Sequence, residues 1–174
     1  MNEVADHAIA LMMAMTRKIV LMNNYTKQEK WDYTYSIPIH RACNQTVGVI
    51  GLGRIGRNFA TKAHALGYNI IGYDPYFKES DDTTFITIKS LDELISSADI
   101  ISLHIPAEGN QNLFNKETFK KMKNNAIIIN VARGGIINED DLYDALNSKE
   151  IAGAAIDCVC KEPMLPKHKL FTLD

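Results

Sequence analysis

Three short stretches carry residue types and spacings that do chemistry. The first is GLGRIG, Gly51 to Gly56, which ends an apolar run and opens an amphipathic stretch. In that context a GxGxxG binds a dinucleotide. Gly51 allows the tight turn, Gly53 lets a pyrophosphate approach the backbone, Gly56 lets helix pack on strand, and the helix amino end faces the anion. A glycine triplet alone is a weak signal, and a ligand-free strand-to-helix turn is the plainer alternative. The second is Asp74, about 20 residues further on, where an acid accepts hydrogen bonds from an adenosine ribose. Its charge repels a 2'-phosphate, and the following PYFKES holds no arginine and one lysine, Lys78, so NAD is expected over NADP. The alternative for Asp74 is a turn-forming role ahead of Pro75. The third is Arg133 in IINVARGGIIN. A guanidinium at the end of an apolar run costs several kcal/mol if buried unpaired. Its planar fork suits a carboxylate held bidentately, with Gly134 and Gly135 leaving room for a ligand. An internal salt bridge to an Asp or Glu is the competing explanation.

The elements that must position these residues follow from the pattern. Apolar runs at 46–51, 69–74, 85–88, 99–105, 126–131 and 153–158 are mostly continuous rather than alternating, as in parallel strands buried on both faces. Between them lie helices with start signals: Ser90 before LDELISSA, Asn115 before KETFKKM, Asn138 before EDDLYDALNSK. A further helix over 54–66 places Ile55, Phe59, Ala63 and Leu66 on one face, with Gly67 to end it. Six strands with helical crossovers predict an α/β fold with a doubly wound parallel sheet of Rossmann type, whose ligands bind beyond the strands' carboxyl ends. Arg133 then lies at the edge where a substrate meets a nicotinamide.

Composition bounds the rest. A chain of 174 residues, 46% apolar and 23% charged, fits one soluble domain, and a net charge of −2 leaves no electrostatic footprint for nucleic acid or an anionic membrane. Cys43, Cys158 and Cys160 are odd in number and lack metal-site spacing, so no metal is expected and a reducing, cytoplasmic setting fits. The opening VADHAIALMMAMTRKIVLM is broken by Thr16, Arg17 and Lys18 before it reaches membrane-spanning length. Its apolar residues cover more than one stripe, so the helix is either central to a core or meets another subunit. Residues 23–45, broken by Pro38, read as a connecting segment.

Taken together, VGVIGLGRIG, YDPY, SLHIP, NVARGGIINEDDLYDAL and IAGAAIDCVCKEP resemble, in order and spacing, the nucleotide-binding domain of the D-isomer-specific 2-hydroxyacid dehydrogenases. The nearest branches are the phosphoglycerate dehydrogenase-like and C-terminal-binding-protein-like members. The resemblance covers nearly the whole chain. It implies that Arg54 and Ile55 lie against the pyrophosphate, that Asp74 holds the ribose, and that Val131, Ala132 and Asp157 line the nicotinamide side. His104 lines the cofactor pocket, with service as the proton donor as its alternative. Arg133 binds the carboxylate and carbonyl oxygen of a small 2-hydroxy or 2-keto acid. Glu162, held extended by Pro163, pairs with a catalytic histidine; otherwise it is an exposed loop carboxylate.

That histidine belongs to a motif expected beyond Asp174. His168 is read as a solvated loop residue, and no role is assigned to His7, His40 or His64. The substrate domain of the resembling family precedes the opening helix, so Met1 reads as the edge of a fragment or a truncated gene. The expectation for residues 1–174 is an isolated domain that binds NAD and turns over little or no 2-keto acid. The helix over 1–22 resembles a subunit-contact helix and implies a homodimer. The competing function is an NAD-responsive regulatory binding protein of the C-terminal-binding-protein type. The two cysteines of DCVCKEP, where an aliphatic and an aromatic are commoner, are read as a packing change.

Overall fold

The computed structural model describes residues 2–78, 83–164 and 166–173. Glu79 and Ser80, the last two residues of PYFKES, lie outside them. Six strands form one parallel sheet: β1 (Thr46–Ile50), β2 (Asn69–Tyr73), β3 (Ile86–Ile88), β4 (Ile100–Leu103), β5 (Ile127–Asn130) and β6 (Gly153–Ile156), in the order β3-β2-β1-β4-β5-β6. All six expected strands are present, each trimmed by one or more residues. The order reverses direction between β1 and β4, and this switch point opens a crevice at the carboxyl edge.

The continuous apolar runs have the predicted cause. Val49 and Ile129 belong to one apolar cluster, and their neighbours Ile50 and Ile128 belong to another. The first cluster lies under α1 (Asn2–Thr16) and α3 (Arg54–Ala65), the second under α4 (Leu91–Ser97), α5 (Lys116–Lys121) and α6 (Glu139–Asn147). Each large apolar side chain removed from water in these layers contributes about 1.5 to 3 kcal/mol. The predicted caps form as read. Ser90 makes a reciprocal capping box with Glu93, and the side chains of Asn115 and Asn138 accept backbone N–H groups of the first turns of α5 and α6. Asp99, at the amino edge, accepts from the Thr46 N–H and pairs with Lys123.

The opening segment departs from the expectation of one helix over 1–22. It is two helices, α1 and α2 (Ile19–Lys27), separated at Lys18, whose backbone is left-handed at φ 53°. The core reading of this segment holds for α1 alone. Helix α1 buries Ala5, Ala8, Met12 and Thr16 at i, i+3/i+4 spacing in the core, while α2 buries nothing and leaves Ile19 and Val20 more than half exposed. The connecting segment that follows contains two 3-10 turns, Tyr33–Ser36 and Ala42–Asn44, and leaves Trp31, Tyr33 and Ile37 exposed.

Helix α1 runs antiparallel to β6. The Met15 side chain packs against Gly153 at the start of that strand, and His7 meets Asp157 just past its end. The eight residues separating Met15 from His7 rise about 12 Å in a helix, close to the ~13 Å that four residues span in a strand. The amino-terminal half of α1 therefore stands at the carboxyl edge of the sheet. Asn58–Asn2 and Lys62–Asp6 contacts tie it to α3.

Candidate functional site

The glycine loop has the geometry its spacing predicts. Gly51 sits at φ 92°, and a Cβ there would crowd the His104 carbonyl oxygen at 2.5 Å. A Cβ on Gly56 would overlap the Gly51 carbonyl, which is why helix α3 can start so close beneath the turn. Gly53 has no heavy atom within 4 Å of where a Cβ would stand. Its φ of −66° suits any residue, so nothing in the protein itself requires glycine there. Open space above a helix N-cap that lacks a side-chain partner is the cradle a pyrophosphate needs. Arg54, exposed, and Ile55, half-buried, follow at the first helical turn.

Asp74 closes β2 and braces this loop. Its Oδ2 accepts from the Leu52 N–H at 2.8 Å and its Oδ1 from the Tyr76 N–H at 2.8 Å. The turn-forming role foreseen as an alternative is thus present, and it coexists with a place beside the glycines. Each carboxylate oxygen has a second lone pair for a ribose hydroxyl.

Beyond the switch point, a cavity of about 390 Å³ is lined by Val4, Ile55, His104, Pro106, Val131 and Arg133, among others. It brings together the start of α3, the segment after β4 and the segment after β5. Ala132 also faces it, as does Ile105. A larger space of about 850 Å³ lies along the free edge of β6 against Leu142, Leu146 and Phe171. None of the candidate site residues from Gly51 to Glu162 lines it, so the smaller cavity is the relevant one.

Arg133 is exposed rather than buried. Its Nη1 donates to the Ala132 carbonyl at 2.7 Å, and among the described residues no carboxylate lies within salt-bridge distance. The internal salt bridge weighed above is therefore absent there. Asn130, the last residue of β5 and 1% exposed, positions this turn: its Nδ2 donates to the Arg133 carbonyl at 2.9 Å and its Oδ1 accepts from the Ala132 N–H at 3.0 Å. Sequence reading passed over Asn130 as a strand residue, although a polar side chain ending an apolar strand at the ligand edge was the available signal. Gly134 departs from its expected role. A Cβ there would overlap the Val159 carbonyl, so this glycine makes room for the protein's own 157–163 loop rather than for a ligand.

That loop carries Glu162, exposed, whose Oε1 accepts from the Val159 N–H at 3.3 Å. Glu162 does not line the cavity and, among the described residues, faces no histidine within ion-pair distance. Cys160 is exposed and Cys158 half-buried, so neither fills the core as a packing change requires. Burial, and then nearby carboxylates, raise both thiol pKa values.

The histidines are sorted by their surroundings. His104 packs against Phe59 with the rings tilted and their centroids 5.0 Å apart, and its Nε2 lies 2.9 Å from the buried Ser102 Oγ. Burial lowers its pKa to about 4, so it is neutral at pH 7 and holds no acidic proton for reduction. This weighs against the alternative of His104 as proton donor and agrees with its reading as a wall of the cavity. His168 is not a solvated loop residue: its Nε2 lies 3.3 Å from Glu139 Oε2, and both side chains are mostly buried. His7 also has a partner, with Nε2 3.3 Å from Asp157 Oδ1. Val4, one turn before it, lines the cavity; neither residue was assigned a role from the sequence.

Fold and site together define a dinucleotide-binding domain of Rossmann type. The sequence profile of the D-isomer specific 2-hydroxyacid dehydrogenase NAD binding domain matches residues 9–174, and the chain belongs to that family. It is 40% identical over 172 residues to a D-3-phosphoglycerate dehydrogenase of Archaeoglobus fulgidus, covering 98% of this chain and 32% of that protein. It is 39% identical over 158 residues to a D-lactate dehydrogenase of Lactiplantibacillus plantarum, covering 90% of this chain and 47% of that one. The fold superposes with a TM-score of 0.92 on an NAD-dependent formate dehydrogenase from Staphylococcus aureus in complex with NAD. That match is at 29% identity over 99% of this chain and 54% of that one. The chain thus spans from about a third to about half of the length of these relatives. NAD is the cofactor of the family, and the open space above Gly53 with Asp74 beside it fits that molecule.

Proposed function

We propose that this chain forms the cofactor-binding half of an NAD-dependent 2-hydroxyacid dehydrogenase acting on a small 2-hydroxy or 2-keto acid. The observation that carries the reading is Arg133, exposed and without a carboxylate partner among the described residues, on the cavity that also holds Ile55, Val131 and Ala132. NAD, when bound, supplies the hydride acceptor. The chain's own residues then divide the work. Gly51, Gly53, Arg54, Ile55 and Gly56 hold the pyrophosphate at the amino end of α3, and Asp74 holds the ribose. Val131, Ala132, His104 and Asp157 surround the nicotinamide end. Arg133 grips the substrate carboxylate and polarises its C2 oxygen, each charge-assisted hydrogen bond contributing about 1.5 to 3 kcal/mol. Glu162 orients a histidine supplied from outside these residues, and a neighbouring carboxylate keeps such a histidine protonated for transfer.

Because Glu162 faces no histidine among the described residues, and His104 on the cavity wall is held neutral by burial, the 174-residue chain alone turns over little or no substrate. Retention of Arg133 and Glu162 favours catalysis over a purely regulatory NAD-binding role, which needs neither. The exposed apolar residues of α2 and the segment behind it support a homodimer.

Two measurements test this. Thermal stabilisation by NADH should exceed that by NADPH, reaching about 2.7 kcal/mol at a hundredfold excess over Kd; the reverse order contradicts the role of Asp74. Measurable reduction of glyoxylate, hydroxypyruvate or pyruvate by the purified chain contradicts the need for an outside histidine.

A further inference from the structure

The pair formed by His7 and Asp157 joins the first helix to the end of the last strand, at the nicotinamide end of the proposed site. We infer that His7 is a positioning residue that fixes the Asp157 carboxylate for the carboxamide of the nicotinamide, so that α1 helps the domain recognise the redox-active end of its cofactor. The inference rests on the placement of Asp157 in the preceding reading.

Three observations support it. The backbone of Asp157 is already fixed, because its N–H donates to the Asn130 carbonyl at 2.9 Å, the same Asn130 that braces the Arg133 turn. What is left free is the side-chain torsion, and His7 Nε2 sets it by lying 3.3 Å from Oδ1. Among the described residues no other group bonds the carboxylate, so Oδ2 is available to accept from a carboxamide NH₂. Secondly, the same helix face reaches the cavity: Val4, three residues before His7, is part of its wall. Thirdly, α1 has little freedom to withdraw. Its buried stripe lies in the core, and Asn2 and Asp6 are tied to Asn58 and Lys62 of α3. Both members of the pair are about half exposed, at 49% and 50%, so the contact is weak in solution and is better suited to orientation than to stability.

The test compares NAD with ADP-ribose, which lacks the nicotinamide, by calorimetric titration of the wild type and of His7→Phe, His7→Gln, Asp157→Asn and His7→Phe/Asp157→Asn. ADP-ribose keeps the pyrophosphate and both riboses and lacks only the nicotinamide, so its affinity reports that each variant is folded with the rest of the site intact. In His7→Phe the preference for NAD over ADP-ribose should fall about five- to tenfold, the size of one ordinary net hydrogen bond, because the half-exposed pair only orients the carboxylate. His7→Gln, which keeps a donor, should restore it to within about twofold. In the Asp157→Asn background, His7→Phe should change nothing further, because the histidine acts only through the aspartate. An unchanged preference in His7→Phe, with Asp157→Asn still lowering it, overturns the role of His7 and leaves the site intact. Equal losses for both ligands in His7→Phe make the residue merely structural and overturn the inference. If Asp157→Asn itself leaves the preference unchanged, the nicotinamide placement fails, and the inference fails with it.

Discussion

His104 makes the pH dependence of this domain's stability predictable. Its pKa falls from an ordinary 6.5 to about 4 on folding because the ring is enclosed by Phe59 and Ser102. The folded state then binds fewer protons than the unfolded chain between these values, so stability rises with pH across that window and is lost as pH falls through it. The contribution is complete above the unfolded pKa. Working the two titrations through linkage gives a loss of about 2 kcal/mol between pH 7 and pH 5 and about 3 kcal/mol by pH 4. Carboxylates also titrate here, so the measurement is a difference. Urea unfolding of the wild type and of His104→Gln, which keeps a polar partner for Ser102 but does not titrate, is followed by circular dichroism at pH 7, 6, 5 and 4. The wild-type curve should fall more steeply by those amounts. Parallel curves would show that His104 is solvated in the folded state, and would reopen its candidacy as a proton donor.

Other consequences are as specific. Gly56→Ala puts a methyl into the Gly51 carbonyl and should destabilise by more than about 3 kcal/mol, seen as a lost or sharply lowered Tm; a shift within error would refute the close packing. Asn130→Ala leaves two backbone groups of the Arg133 turn without their partner, at a cost of about 1 to 3 kcal/mol in chemical denaturation, and a neutral result would mean that water replaces the side chain. Light scattering at micromolar concentration should give a mass near twice the 19.5 kDa of the chain, whereas a monomer mass would contradict the homodimer.

Much of the fold was legible because its signals are local. Continuous apolar runs marked strands covered on both faces, and Ser90, Asn115 and Asn138 marked helix starts through side chains that cap their own first turns. The break between α1 and α2 was not legible: neither glycine nor proline stands there, and Lys18 takes a left-handed backbone because α1 is held in the core while α2 is not. At the site, the roles of Gly51, Gly53 and Gly56 follow from spacing, since a turn, an approach and a helix start are set within one loop. The partners of His7, His168 and Gly134 come from segments far away in sequence, and no local pattern encodes them. The burial of His104 likewise comes from Phe59 and Ser102 around it, which its position at the strand end does not encode.

The central claim is that the cofactor spans the carboxyl edge of the sheet from the glycine loop to the Arg133 turn. Titrating the isotope-labelled chain with NADH while recording backbone amide resonances tests it directly. Large shifts should appear at Gly53, Arg54 and Ile55 and again at Val131, Ala132 and Arg133, with Leu142 and Phe171 beside the larger cavity unmoved. Shifts concentrated around those last two residues, or confined to the glycine loop at saturation, would contradict it.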